Sequence, residues 1–416
     1  MSKRTLWAAL LCLSVTTCFG QTADDTSSAD ASATENKLSR WLELDAASFS
    51  IRYRNSFDTN GTHIFDDFQQ RSLLSGEFKL DRQGKYFIGF RAESGRYFNW
   101  SYASIAGSDY GQAIDTAIAH LSVPRELALF TAYSADPEGA AIASHIVANG
   151  WEFYMRNLYL SATPVQGLTF EFGGIPIDRG VASEITTYDE DGYISGERVR
   201  IKYPDQLYLD EIQFTSAYLG DVFSPNFFAN YDRLAQWNYR QVMGEKKFGT
   251  RLKASADYTW LVGTDTVREG LLANTKESRV LDSARVELYQ RLNNVQLPGY
   301  LAKAANGWAF TGAKNVSRRV KVEGGYATID QDYGVYSGSS TLASIGFALN
   351  GDAYQTGERF FGRANVKVAP GMSLFGFYTH QIDSKATPLT YSFDRQNVNF
   401  GLQLDFKEML DRAHIL

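Results

Sequence analysis

The sequence is poor in cysteine and proline, and it lacks long apolar runs. Its 416 residues include nine prolines and two cysteines, Cys12 and Cys18. Beyond these positions there is no cysteine, which excludes a disulfide framework, a thiolate metal site and a cysteine nucleophile there. No segment reaches the roughly eighteen consecutive apolar residues that predict a transmembrane helix. A net charge of −6, from 41 basic and 47 acidic side chains, argues against a nucleic-acid partner.

The N-terminus has the three parts of a secretory signal peptide. A basic pair at positions 3–4 precedes an apolar run over 6–15, and a short polar stretch follows. We therefore predict a signal peptide over residues 1–20 and a periplasmic tail over 21–45. The residue before Cys18 is threonine rather than Gly, Ala or Ser, so lipidation of this cysteine is disfavoured.

What the sequence has in abundance is alternation with a period of two. Residues 251–260 place Leu, Ala, Ala, Tyr and Trp at every second position, with Arg, Lys, Ser, Asp and Thr between them. The same alternation occurs over 49–54, 86–93 and 319–326. Segments with one apolar and one polar face are typical of β-strands. An aromatic content of 14 % and 35 glycines also favour a long antiparallel β protein.

Segment and connection lengths favour a transmembrane barrel over a soluble sandwich. The segments run about ten residues, the length of a tilted strand that crosses a bilayer. Short polar turns are predicted at 81–84, 204–206, 244–247 and 369–371, and long connections at 96–148, 175–194, 219–234 and 329–357. We predict an all-β antiparallel transmembrane β-barrel within 46–406, with both termini periplasmic and a tail over 407–416. Sixteen strands are expected, with fourteen or eighteen as the alternatives, and 293–306 is predicted to be a loop because of Pro298.

The polar face of these strands contains more basic than acidic residues. Charge on the lipid face is costly, so these groups are expected to face a water-filled lumen. The predicted pore-lining basic residues are Arg52, Arg54, Arg91, Arg156, Arg198, Arg200, Lys202, Arg251, Lys253, Arg285, Arg319, Lys321, Arg363 and Lys367. The simpler interpretation is an ordinary solvated wall, in which cross-strand ion pairs hold the barrel rigid.

Two long connections are candidates for a constriction loop that folds into the lumen. The segment 96–148 is long enough, and 175–194 carries a cluster of carboxylates. The predicted constriction-loop acidic residues are Asp178, Glu184, Asp189, Glu190 and Asp191. The run 189–192 does not have the spacing of a calcium loop, and a solvated acidic loop tip is the simpler interpretation.

The histidines provide no enzymatic pattern. They are His63, His120, His145, His380 and His414. No nucleophile motif surrounds them, and no His and carboxylate cluster has metal-ligand spacing. We therefore predict that the protein is not an enzyme, with no catalytic residue, no metal and no cofactor.

The final strand carries a resemblance to a known family. Its apolar positions are Val398, Phe400, Leu402, Leu404 and Phe406. This alternation closing on Phe406 resembles the C-terminal assembly signal of bacterial outer-membrane proteins. The Glu-Phe-Gly-Gly run at 171–174 is similar to a stretch in the third loop of general porins. By architecture and closing strand, the chain resembles the bacterial outer-membrane porin superfamily, and the Arg-containing segment 51–54 is loosely similar to alginate-export barrels.

The porin resemblance implies a channel in the outer membrane of a Gram-negative bacterium. Ions and small hydrophilic solutes would diffuse passively through it. Because its predicted wall is basic, the channel is expected to prefer anions. The resemblance also implies contact with outer-membrane lipid and lipopolysaccharide, and assembly as a homotrimer. The alternatives are an exporter of an anionic polysaccharide and an exported β protein that forms no channel.

Overall fold

The computed structural model describes residues 41–58, 63–94, 101–103, 153–178, 194–202, 208–219, 226–235, 237–250, 252–261, 266–275, 280–297, 300–330, 357–382 and 395–413. The chain divides into two units, Met1–Asn36 and Lys37–Leu416. The first unit, which includes the predicted signal peptide, lies outside the described residues, so the signal peptide stays a prediction.

Sixteen long strands make up the described fold. They are β1 (Leu42–Asp58), β2 (His63–Lys79), β3 (Tyr86–Ser94), β4 (Phe153–Val165), β5 (Leu168–Ile175), β6 (Ile194–Ile201), β7 (Glu211–Leu219), β8 (Tyr239–Phe248), β9 (Leu252–Leu261), β10 (Thr266–Thr275), β11 (Ser283–Arg291), β12 (Ala305–Asn315), β13 (Val320–Ile329), β14 (Gly357–Ala369), β15 (Met372–Ile382) and β16 (Arg395–Asp405). The prediction of sixteen antiparallel strands is confirmed.

The strands are paired in chain order around a ring. Each one is antiparallel to the next, and a short strand at Ser101–Ala103 adds to the edge of β2 beyond β3. The last strand, β16, also pairs with β1, from Ser48↔Asp405 to Asp58↔Arg395. Every one of the sixteen strands therefore has a hydrogen-bonded partner on both sides, which is the pairing of a barrel.

The polarity of the two faces of the barrel wall is reversed relative to a soluble protein, because the exposed outer face is the more apolar one. Along β8, Tyr239, Gln241, Met243 and Glu245 are buried on the inner face, and Val242 is exposed on the outer face. The outer face carries large apolar side chains that are 38–56 % exposed, among them Phe214, Tyr258, Val286, Leu288, Trp308, Phe310, Phe360 and Phe400. An apolar exterior around a polar interior is the pattern that suits strands surrounded by lipid.

The connections sort into two ends of the barrel. At one end β4 and β5, β8 and β9, and β14 and β15 are joined by turns of two or three residues. At the other end the connections are longer, apart from 59–62 and 262–265, which have four residues each. The chain enters β1 and leaves β16 at the short-turn end, as predicted.

Two of the predicted connections differ from the structure. The predicted turn at 244–247 is wrong, because these residues continue β8 and the turn follows at Gly249. Lys246 at this end of β8 is stabilised on the outer face by Asp210, with 3.1 Å between its Nζ and Asp210 Oδ1. The predicted loop 293–306 contains a small hairpin, Val295–Leu297 with Tyr300–Ala302, and β12 begins at Ala305.

A short helix, α1 (Phe227–Asn230), lies between β7 and β8. The tail after β16 folds into a second helix, α2 (Phe406–Arg412), rather than remaining extended. Phe406 is therefore the first helical residue and not the last strand residue, because Asp405 caps the helix by accepting the Glu408 N–H at 2.9 Å. Glu408 anchors α2 to the short-turn end, with 2.6 Å to Lys367 Nζ and 3.0 Å to the Gly371 N–H. None of the helices in the described segments is long and apolar enough to cross a membrane.

Candidate functional site

The inner wall carries most of the basic residues that the sequence predicts for a pore. Alternation along the strands places on it Arg52, Arg91, Arg156, Arg198, Arg200, Lys253, Arg285, Lys321, Arg363 and Lys367. Lys202 follows β6 and pairs with Glu211 at 3.2 Å. Arg54 lies in β1, and Arg251 lies outside the described residues. Arg319 does not lie on the wall, contrary to the prediction. It is exposed in the turn before β13, where Ser317 Oγ accepts its backbone N–H at 3.2 Å.

Three arginines surround Glu93 near the long-connection end of β3. Arg156 Nη1 lies 3.4 Å from Glu93 Oε2, Arg71 Nη2 lies 3.3 Å from Oε1, and Arg91 also forms an ion pair with Oε1. A bulge in β4 turns both Arg156 and its neighbour Asn157 inward. Glu93 is 0 % exposed and Arg156 is 2 % exposed, so this group is a buried cluster with one carboxylate for three guanidiniums.

The basic residues at the end of β6 are matched by carboxylates. Arg198 Nη1 lies 2.9 Å from Glu171 Oε2, and Arg200 Nε lies 3.1 Å from Glu171 Oε1. Arg200 Nη1 lies a further 3.1 Å from Asp178 Oδ2. With the Lys202–Glu211 pair, three cations face three carboxylates, so the positive potential expected for this part of the wall is cancelled locally.

A third buried group lies on β9 and β11, where the buried Arg291 shares the inner face of β11 with Arg285. Arg285 Nη2 lies 2.7 Å from Asp257 Oδ1, and its Nε lies 2.7 Å from Glu287 Oε1. The Tyr289 hydroxyl donates to Glu287 Oε2 at 2.6 Å. One guanidinium is therefore held between two carboxylates.

Isolated ion pairs lie elsewhere on the described wall. Lys253 Nζ lies 2.6 Å from Glu245 Oε2 on β8. On β13 and β14, Glu323 contacts Lys321 at 2.5 Å and Arg363 at 4.0 Å. The Glu323 group thus has two cations for one carboxylate.

The ion-pair groups are spread around the barrel. Those around Glu93 and Glu323 lie on β2–β4 and β13–β14, which flank the β16–β1 pairing. Arg52 on β1 and Arg359 on β14 belong to the same side. The groups around Arg198 and Arg285 lie on β5–β7 and β9–β11.

The start of the segment 175–194 runs against the inner wall. Arg198 donates to the Pro176 carbonyl, and Gln241 Nε2 donates to the Asp178 carbonyl at 3.0 Å. The Asp178 carboxylate accepts from Gln213 Nε2 at 3.1 Å, in addition to its pair with Arg200. Because these wall groups face inward, the chain turns into the lumen directly after β5.

The other predicted constriction-loop residues, Glu184, Asp189, Glu190 and Asp191, lie outside the described residues, as does most of 96–148. The assembly role of Phe406 stays a prediction. Among the residues that the structure describes, no group of three His, Cys, Asp or Glu side chains is placed to hold a metal ion.

Sequence reasoning missed two charged residues of the inner wall. Arg71 lies in a strand whose apolar and polar positions are mixed, and its burial against Glu93 appears only in three dimensions. Glu245 was missed because it falls in the wrongly predicted turn.

No protein-family model and no curated protein matches this chain. Solved structures similar to it include Acinetobacter baumannii OccAB1, with 13 % sequence identity and a TM-score of 0.48 over 88 % of this chain and 96 % of that one. A mutant of the Rhodopseudomonas blastica porin has 9 % identity and a TM-score of 0.42, over 88 % of this chain and all 100 % of its own. The chain is thus similar to porins of solved structure.

Proposed function

We propose that this protein is an outer-membrane porin that forms a water-filled channel for passive diffusion of ions and small hydrophilic solutes. The observation that carries the proposal is the inverted wall: sixteen strands paired in a ring, apolar outside and charged inside. A barrel of this strand number has room for an aqueous interior, whereas eight strands are filled by their own side chains.

Reconstitution of the purified chain into planar lipid bilayers tests this function. Stepwise currents in potassium chloride are the expected result, and a chain that inserts without conductance would refute the channel. Membrane insertion is checked separately by the different gel migration of boiled and unboiled protein, which a soluble β protein would not show.

The proposal includes a mild preference for anions. It is supported by the basic residues on the part of the wall that flanks the β16–β1 pairing, Arg52, Arg91, Arg359 and Arg363, and we call this part the basic side. Charges closer than the Debye length of about 8 Å reinforce one another, so neighbouring cations on this side add their fields. The Arg198, Arg200 and Lys202 groups contribute little, because carboxylates neutralise them.

The reversal potential in a salt gradient tests this preference. Replacing Arg52 and Arg363 with Gln removes two charges from the basic side and is expected to shift selectivity toward cations. Lys314→Gln is the matched control, since Lys314 lies on the outer face and pairs with Asp282 at 2.8 Å. A wild-type pore that prefers cations would contradict the proposed preference.

Homotrimer assembly through the outer face of β5–β7 is also part of the proposal. Glu197 alternates with the inward-facing Arg198 and is exposed on the outer face, opposite Phe172 and Ser216. A carboxylate on a lipid-facing wall is costly, and a neighbouring subunit would cover it. A Phe172→Cys variant should crosslink between copies, and monomers alone after oxidation would remove this proposal.

A further inference from the structure

Three phenylalanines on β14 and β15 lie on the inner wall, where alternation would place polar residues. Phe361 on β14 and Phe375 and Phe377 on β15 share the face that carries Arg363. The ring centroids of Phe361 and Phe377 are 6.1 Å apart with planes tilted by 51°. We call these three residues the Phe strip. An apolar strip inside a charged barrel has no role in the ion-pair networks described above.

Glycines on the adjoining strands let these rings lie flat along the wall. A Cβ atom added to Gly401 on β16 would lie 2.6 Å from the Phe375 Cζ atom, and one added to Gly325 would overlap the Phe361 ring. The Phe375 and Phe361 rings therefore each lie against a glycine. Phe375 and Phe377 remain partly exposed, and Phe361 is 8 % exposed.

Cations and an amide border the Phe strip. Arg363 lies directly opposite Phe377 in the β14–β15 register, and its Nη1 is 4.0 Å from Glu323, the limit of an ion pair. On the other side, Arg52 lies opposite Gly401. One guanidinium, Arg363, thus lies within the strip on β14, and a second, Arg52, lies on β1 beyond β16.

Asn399 provides an independent sign that a ligand belongs here. It faces Phe377 in the β15–β16 register and is 2 % exposed. Both of its side-chain atoms, Oδ1 and Nδ2, are buried without a hydrogen-bond partner. A buried carboxamide without partners is costly, and native proteins rarely keep one unless another group satisfies it.

We propose that the Phe strip, Arg363, Arg52 and Asn399 form a binding subsite for a small aromatic carboxylate that passes through the lumen. This rests on the proposed channel and specifies a class of solute for it. The solute ring packs against the Phe rings in an offset or edge-on arrangement. Its carboxylate accepts paired hydrogen bonds from a guanidinium, and the Asn399 amide bonds a polar group at the ring edge.

Benzoate and acetate are the probes, because they share the carboxylate and differ in the ring. Equilibrium binding to the detergent-solubilised barrel, measured by calorimetry, is expected to favour benzoate by about tenfold, as an added buried ring predicts. Phe377→Leu should weaken benzoate binding by about threefold to tenfold and leave acetate unchanged. Arg363→Gln should weaken both probes. Phe360→Leu, the same change on the outer face of β14, is the control and should change neither.

Equal binding of benzoate and acetate to the wild type would overturn the subsite, as would equal effects of Phe377→Leu and Phe360→Leu. An Asn399→Leu variant that folds, by gel migration, and binds benzoate as tightly as the wild type would remove Asn399 from it. Because binding is measured in detergent, these results are separate from conductance. A barrel that conducts potassium chloride but fails these tests keeps the channel and loses only the subsite.

Discussion

At the residue scale, the wall depends on buried charges that have several partners each. Glu93 is surrounded by three arginines and is 0 % exposed, and its desolvation is offset by those contacts and by the Tyr154 hydroxyl, which donates to its Oε2 at 3.4 Å. Losing the carboxylate would leave three guanidiniums close together in a low-dielectric site. The stability of this part of the wall therefore depends on the Glu93 carboxylate.

Glu93→Gln is expected to destabilise the barrel by about 3–5 kcal/mol, the usual cost of removing one partner of a buried ion pair. Urea unfolding followed by tryptophan fluorescence measures this change. Glu43→Gln is the control, because Glu43 is 57 % exposed and pairs with Lys79 near the surface. An exposed pair contributes at most about 1 kcal/mol, so equal effects of the two substitutions would contradict the buried role of Glu93.

A second prediction at this scale concerns two strand glycines. A Cβ on Gly401 would overlap the Ile51 carbonyl oxygen and lie 2.6 Å from Phe375, whereas Gly362 has no atom within 4 Å of such a Cβ. Gly401→Ala should destabilise the barrel by about 1–3 kcal/mol through overpacking, and Gly362→Ala should not. The two variants are compared by urea unfolding. A Gly401→Ala variant as stable as Gly362→Ala would show that the neighbouring atoms move to accommodate the added methyl group without strain.

At the element scale, α2 is attached to the barrel largely through Glu408. The hydrogen bond from Lys367, followed by that from the Gly371 N–H, lowers the pKa of Glu408 below its ordinary value of 4.5. A lowered pKa means that the attachment is fully present above the ordinary value and is lost as the pH falls through the folded one. The helix has no fully buried residue, and its other contact with this turn is Met409, which packs against Gly371.

We therefore expect α2 to detach in acid while the strands stay paired. Hydrogen exchange of the amides in α2 should speed up as the pH falls below 4.5, relative to free-peptide rates at each pH, and Glu408→Gln should show the fast exchange at neutral pH as well. Asp411→Asn is the control, since Asp411 pairs only within the helix with Lys407 at 2.8 Å. Unchanged protection in Glu408→Gln would mean that other contacts hold the helix.

Alternation in the sequence was enough to locate the sixteen long strands, because one face of such a strand is apolar and the other polar. It did not locate the short strand Ser101–Ala103 or the hairpin Val295–Leu297 with Tyr300–Ala302. It could not identify ion-pair partners, since these depend on which strands are adjacent and in which register. Nor does alternation identify Phe375 and Phe377 as inner-wall residues, because they are apolar residues on the polar face. Their position depends on Gly401 and its neighbours, which only the folded wall brings together.

At the scale of the whole molecule, β16 is the strand that completes the ring, whereas α2 is an addition to it. Removing residues 395–416 would leave β1 and β15 each with an unpaired edge, so we expect loss of the heat-resistant barrel band on gels. Removing only 407–416 should preserve that band. Survival of the band in the longer truncation would show that the β1–β16 pairing is dispensable.

The pairing of β1 with β16 also sets the order of folding. Residues 48 and 405 lie opposite each other, so the ring cannot form until nearly the whole chain has been synthesised. This pairing joins positions that are far apart in the sequence, which raises the contact order of the fold. Bringing them together costs a large loop-closure entropy before the contacts between β1 and β16 stabilise the ring. The final step of folding is therefore expected to be slow, and the two strand edges stay exposed to aggregation until it occurs. Exchange protection at this seam should consequently appear last during refolding.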